Sequence, residues 1–60
     1  MKRTEMAGGW YTYEGIDTAL IVKCWAGYCL YILPNIWNIT VHVTLEDAEV
    51  ALVTWLLMNQ

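Results

Sequence analysis

The run ALIVKCWAGYCLYIL, Ala19 to Leu33, can be read as a membrane span, a buried helix or a β-hairpin, and the choice decides the fold. As a span it is too short and too polar. Even extended back to Thr18 it covers sixteen residues with Lys23 in the middle, whereas a helix crossing a bilayer needs about 20 predominantly apolar residues. As one helix it carries β-branched and aromatic residues throughout and Gly27 at its centre, all of which disfavour helix. As a hairpin, Ala19 to Trp25 and Tyr28 to Leu33 become two strands around Ala26-Gly27, and Gly supplies a positive φ for a tight loop.

With Ala26-Gly27 as the loop, the expected pairs are Trp25 with Tyr28, Cys24 with Cys29, Lys23 with Leu30 and Val22 with Tyr31. Pleating sends alternate residues to opposite faces. Leu20, Val22, Cys24, Cys29, Tyr31 and Leu33 then share one face, and Ile21, Lys23, Trp25, Tyr28, Leu30 and Ile32 share the other.

Downstream, Pro34-Asn35-Ile36 reads as a turn, since Pro fixes φ and Asn tolerates turn geometry. The strongest strand signal follows: Trp37, Ile39, Val41 and Val43 alternate with Asn38, Thr40, His42 and Thr44. A three-residue loop puts that apolar series on the Cys24/Cys29/Tyr31 face and the polar series beside Lys23. Thr44-Leu45-Glu46-Asp47 resembles a capping box with Asp in the final position, and its acids suit the positive end of a helix dipole. A C-terminal helix from Leu45 to about Met58 is predicted. Leu45, Ala48, Leu52, Trp55 and Leu56 form one apolar stripe, expected to cover the Cys24/Cys29/Tyr31 face. Val50, Val53 and Leu57 form a second stripe across Glu49.

Upstream, Trp10 to Glu14 is rich in aromatic residues between Gly9 and Gly15 and reads as a short strand, with Gly15 to Thr18 as a connection. Residues 1–9 show no apolar period and end on Gly8-Gly9, so they are expected to be a flexible leader, with 10–60 as a single ββββα domain. The positive start Met1-Lys2-Arg3 is not followed by the apolar core of a secretion signal. The expected fold class is α+β: an antiparallel β-meander of three to four strands with one C-terminal α-helix packed on one face.

Composition restricts function. Six acids against three bases give a net charge of -3, the wrong sign for direct nucleic-acid binding, which gathers Lys and Arg against phosphate. Hydrophobic residues make up 58% of the chain, and a domain this short buries only about 60% of the surface its unfolded chain exposes. The apolar surplus therefore points to cover from outside the monomer.

No chemistry-bearing motif stands out, so no cofactor and no metal are expected. Cys24 and Cys29 with His42 are too few ligands for a structural zinc site. The two cysteines are read as free, buried thiols in preference to a strained disulfide. His42 lacks a nucleophile within its expected face, the chain contains no serine, and the cysteines point to the other side of the sheet, so no enzymatic role is assigned. Asn38-Ile39-Thr40 matches a glycosylation sequon that lacks the secretory context. Glu46 and Asp47 are explained by the helix dipole, while Glu49, between two apolar stripes, is the more open contact candidate for a basic partner.

The remaining candidates are interface residues. Trp and Tyr dominate binding hot spots, which singles out Trp10, Tyr11, Tyr13, Trp25 and Tyr28, whereas Tyr31, Trp37 and Trp55 are assigned to the core. The face expected to be left uncovered carries Ile21, Trp25, Tyr28, Leu30 and Ile32, joined by Val50, Val53 and Leu57 on the helix. These features point to a small, acidic, non-catalytic, cytoplasmic binding protein that pairs with itself and sterically occludes an unidentified protein target. By size and charge alone it has the profile of inhibitors carried by phages and mobile elements, such as those that block host nucleases, which would act in the host cell cytoplasm. The alternatives are a structural subunit completed by a larger assembly and a small single-span membrane peptide.

Overall fold

The computed structural model describes residues 2–33 and 39–59. The expected turn at Pro34 to Ile36, the start of the following strand at Trp37, and the sequon residue Asn38 lie outside the described residues. The described strands are β1 (Arg3–Met6), β2 (Trp10–Tyr13), β3 (Ile16–Cys24), β4 (Gly27–Ile32) and β5 (Ile39–His42), followed by the helix α1 (Leu45–Met58). The strands form one antiparallel sheet in the order β1-β2-β3-β4-β5. The architecture is the expected α+β meander with a C-terminal helix, one strand larger at its N-terminal edge.

That extra strand corrects the reading of residues 1–9 as a leader. Gly8 and Gly9 adopt positive φ (100° and 84°) and so turn the chain back between β1 and β2. Arg3 pairs with Tyr13 and Met6 with Trp10. The Glu14 backbone N–H donates to the Lys2 carbonyl at 2.9 Å, continuing the pairing beyond the strand end. The expected connection over Gly15 to Thr18 is also shorter, because β3 begins at Ile16. Regular pairing breaks there instead: from Tyr11 to Tyr13 is two steps, but between their partners Ile21 and Ile16 it is five. This bulge places both Ile16 and Ala19 against the core and leaves Asp17 and Thr18 exposed.

The β3–β4 hairpin forms, but two residues out of the expected register. Cys24 pairs with Gly27, Lys23 with Tyr28, Val22 with Cys29 and Ile21 with Leu30, so the loop is Trp25-Ala26. The reason lies in Gly27. Its φ of 133° follows two residues without positive φ, the pattern of a turn closed by a glycine bulge. A Cβ on Gly27 would also stand 2.2 Å from the His42 carbonyl oxygen. The glycine is thus used where β4 approaches β5, not inside the loop. A shift of two residues conserves the side-chain alternation, so the two expected sets of residues do occupy opposite faces.

The helix, however, lies on the face opposite to the one expected. Ile21, Leu30 and Ile32, assigned to an uncovered surface, are core residues with Tyr11, Tyr13, Ala19, Ala48 and Leu52. Both faces are apolar, so hydrophobicity does not choose between them; the observed side adds polar ties at the sheet edge. The Glu49 carboxylate accepts a hydrogen bond from the Tyr13 hydroxyl at 2.8 Å and pairs with Arg3 at 3.1 Å, and both partners stand on the Ile21 face. The Arg3 guanidinium also rests 5.7 Å from the Tyr11 ring centroid, and Tyr11 meets Tyr28 in a tilted pair at 6.2 Å.

The helix itself follows the sequence closely. Thr44 is extended (φ -122°, ψ 159°) and its hydroxyl accepts from the Asp47 backbone N–H at 3.1 Å, satisfying one of the first-turn donors. Ala48 and Leu52 are fully buried, and Leu45, Ala51, Trp55 and Leu56 pack around them. At the other end, the Asn59 backbone N–H and side-chain amide both donate to the Trp55 carbonyl, at 3.0 and 2.8 Å. Burying Ile21 and Leu52, each 0% exposed, stabilises the fold by about 1.5–3 kcal/mol per side chain.

Candidate functional site

With the helix on one side of the sheet, the other side is open, and its residues follow from the register. Trp10 pairs with Val22, Val22 with Cys29, Cys29 with Val41, Leu20 with Tyr31 and Tyr31 with Ile39. Paired residues share a face, so Trp10, Leu20, Val22, Tyr31, Ile39 and Val41 line one continuous surface, with Met6 at its β1 end and Cys24 near the hairpin loop. Ile39 and Val41 are exposed, and the others except Met6 are half-buried by their neighbours. Tyr31 had been assigned to the core; it is part of this open surface. The regularly paired strand residues here include no Asp, Glu, Lys, Arg or His.

The sequence did hold a signal for this surface. The alternation of Ile39, Val41 and Val43 placed that series with Cys24, Cys29 and Tyr31, which is where the structure puts Ile39 and Val41. The same set had been given to the helix, and so was passed over as an interface. Val50, Val53 and Leu57 stand outside the core as an exposed stripe on the far side of α1, continued by Met58. Trp25 is 99% exposed at the hairpin tip. Tyr28 packs against the core, and Tyr11 and Tyr13 are within it. Trp10 is half-buried on the open face, its indole N–H donating to the Ala7 carbonyl at 3.0 Å.

Of the acidic candidates, Glu46 and Asp47 are exposed in the first turn of α1. Glu49 is engaged within the chain by Tyr13 and Arg3. That ion pair is partly solvent-exposed and contributes about 0–1 kcal/mol. The hydrogen bond from Tyr13 is better shielded, and its effect is visible in the phenol's acidity. Burial first, then the bond to Glu49 and its negative charge, hold the Tyr13 hydroxyl well above the ordinary tyrosine value, with Arg3 pulling the other way.

A group whose native pKa is raised supports the fold below its unfolded pKa, about 10 for tyrosine, and loses that support as pH climbs toward the native value. The denaturant midpoint is therefore expected to fall above about pH 10, more steeply in the native chain than in Tyr13→Phe. Equal slopes in urea titrations followed by circular dichroism would remove Tyr13 from the account.

The Thr40 hydroxyl and His42 Nε2 are 2.7 Å apart. Pairing with Leu30 and Tyr28 puts them on the helix side of the sheet, away from Cys24 and Cys29. Those two cysteines are free and half-exposed, with their sulfurs 3.0 Å apart. Among the described residues no cluster of three or more His, Cys, Asp or Glu side chains is placed to hold a metal ion. Among them also, no helix is long and apolar enough to cross a membrane. Among the described residues, the open sheet face is thus the candidate site that the fold presents. Comparison with protein families, with characterised proteins and with solved structures yields no match to this chain.

Proposed function

We propose that this chain is a non-catalytic binding protein that pairs with a second copy of itself through the open sheet face and acts on a protein target by steric occlusion. The observation that carries the pairing is the chemistry of that face: six large apolar side chains, Trp10, Leu20, Val22, Tyr31, Ile39 and Val41, spread across four strands with no charged strand residue among them. A contiguous apolar surface of this kind is characteristic of association sites. Two sheets packed face to face bury such residues about 10 Å apart. The chain carries a net charge of -3. Copies meeting through this face bring no regularly paired acid of the sheet into direct opposition. The acids then remain on the outer surface of the pair, available to a partner with basic groups.

Analytical ultracentrifugation tests the pairing. The native chain is expected to sediment as a dimer at micromolar concentration. Val41→Lys, which plants a charge at an exposed position of the open face, is expected to sediment as a monomer with its helix signal intact. Val50→Lys, on the outer side of α1, is expected to leave the dimer unchanged. A native chain that stays monomeric at every concentration defeats the proposal. So does a dimer broken by Val50→Lys and not by Val41→Lys, which would assign the contact to the helix stripe.

A further inference from the structure

The hairpin register leaves a vacancy opposite Cys24. Its direct partner is Gly27, which has no side chain, and the next residue of β4 on the same face is Cys29. The Cys29 side chain leans over that space, and the two sulfurs meet at 3.0 Å, about 1 Å longer than a disulfide bond. Both cysteines are half-exposed, on the open face, beside the loop Trp25-Ala26. Neither is sealed into the core beneath the helix. These are the geometric requirements for a dithiol that closes on itself when a small oxidant arrives.

We propose that Cys24 and Cys29 are a modification site for low-molecular-weight disulfides, which convert the pair into a reversible intrachain disulfide across the hairpin. The Cys24 thiolate attacks one sulfur of the small disulfide. The S–S bond breaks, and the departing thiolate takes the proton of the neighbouring Cys29 thiol. The Cys29 thiolate then attacks the Cys24 sulfur of the mixed disulfide and expels the second small thiolate, which is protonated from water. Two protein thiols lose two electrons, the small disulfide gains them, and two small thiols are released. The order with Cys29 attacking first balances equally, since either sulfur can donate the hydrogen bond between them; the bond to Cys24, with burial adding to it, raises the Cys29 thiol above its ordinary value. The modification closes a ring around residues 25–28 and so fixes the loop that presents Trp25. Cys29 lies between Val22 and Val41 on the face assigned to pairing, so the modification acts on the unpaired chain, and the test separates the two.

The full-length reduced chain is incubated with oxidised glutathione in native buffer, alkylated with iodoacetamide and weighed by mass spectrometry. The expected product is a single chain lighter by two hydrogen atoms, carrying no alkyl group and no glutathione, and restored by dithiothreitol. The same product is expected on dilution of the chain below the concentration at which copies pair. Cys29→Ser is expected to stop at a glutathione adduct on Cys24. Ring closure is expected to be at least about tenfold faster in native buffer than in guanidinium chloride, because folding supplies the proximity. A persistent glutathione adduct on the native chain, two thiols that remain open to alkylation, a disulfide between chains, or equal closure rates with and without denaturant would each overturn the proposal.

Discussion

Gly27→Ala is expected to lower the stability of the fold by about 2–6 kcal/mol at 25 °C. Two independent costs fall on one methyl group. The backbone at Gly27 has φ 133°, a region where a side chain costs about 1–3 kcal/mol. The methyl would also stand 2.2 Å from the His42 carbonyl oxygen and 3.2 Å from the Val43 Cα. Both are backbone atoms, so the clash is not relieved by a rotamer change. β4 and β5 must separate, at a cost of about 1–3 kcal/mol or more for forced overpacking. Domains carry about 0.05–0.15 kcal/mol of stability per residue, which for 60 residues is about 3–9 kcal/mol. The combined penalty consumes half or more of that. Urea unfolding followed by circular dichroism measures it directly. A midpoint shift worth less than about 1 kcal/mol, below the range of either cost, would mean that the approach of β5 to Gly27 is wrong.

Ile21→Ala is the second large effect, and it separates the core from the surface. Ile21 is completely buried between the sheet and α1, and truncating such a side chain costs about 2–5 kcal/mol depending on how far the site collapses. Trp25→Ala removes a far larger side chain, but one that is 99% exposed, so its effect on stability is expected to stay within about 0.5 kcal/mol. A size-based expectation ranks the two in the opposite order. The pair of denaturation curves therefore tests directly that Ile21 is core and Trp25 is surface. A tryptophan variant less stable than the isoleucine variant would place Trp25, and not Ile21, in the core.

The same pair shows where the sequence was readable. Period-two alternation sorted the residues of β3, β4 and β5 correctly onto two faces, and that sorting survived a register displaced by two residues because such a displacement conserves it. The helix was equally readable, from the Thr44 cap to Met58, because its cap and its stripe are local. The side of the sheet on which the helix lies was not. Ile21, Leu30 and Ile32 on one side and Leu20, Val22 and Tyr31 on the other are equally credible floors for a helix. The ties that distinguish them join Glu49 to Arg3 and Tyr13, which are 46 and 36 residues away. Strand β1 was unreadable for a related reason: an edge strand exposed along its whole length has no buried face to impose alternation. The candidate site inherited that error, since Ile21, Leu30 and Ile32, credited to an open surface, are core residues. The exposed helix stripe of Val50, Val53 and Leu57 was identified correctly because α1 buries only its other side.

In the strand order β1-β2-β3-β4-β5, every strand lies beside its neighbour in sequence. Each pairing therefore closes a short stretch of chain, and loop-closure entropy is small at every step. Contacts this local belong to topologies that fold quickly, and they also let the sheet grow in the order in which a ribosome delivers it, each hairpin complete before the next strand emerges. Only the helix must wait. The bond from Glu49 back to Arg3 spans 46 residues, so until the last turns of α1 are synthesised both sides of the sheet are bare. The nascent chain is most exposed to misassociation in that interval, and the helix that ends it follows every strand of the sheet.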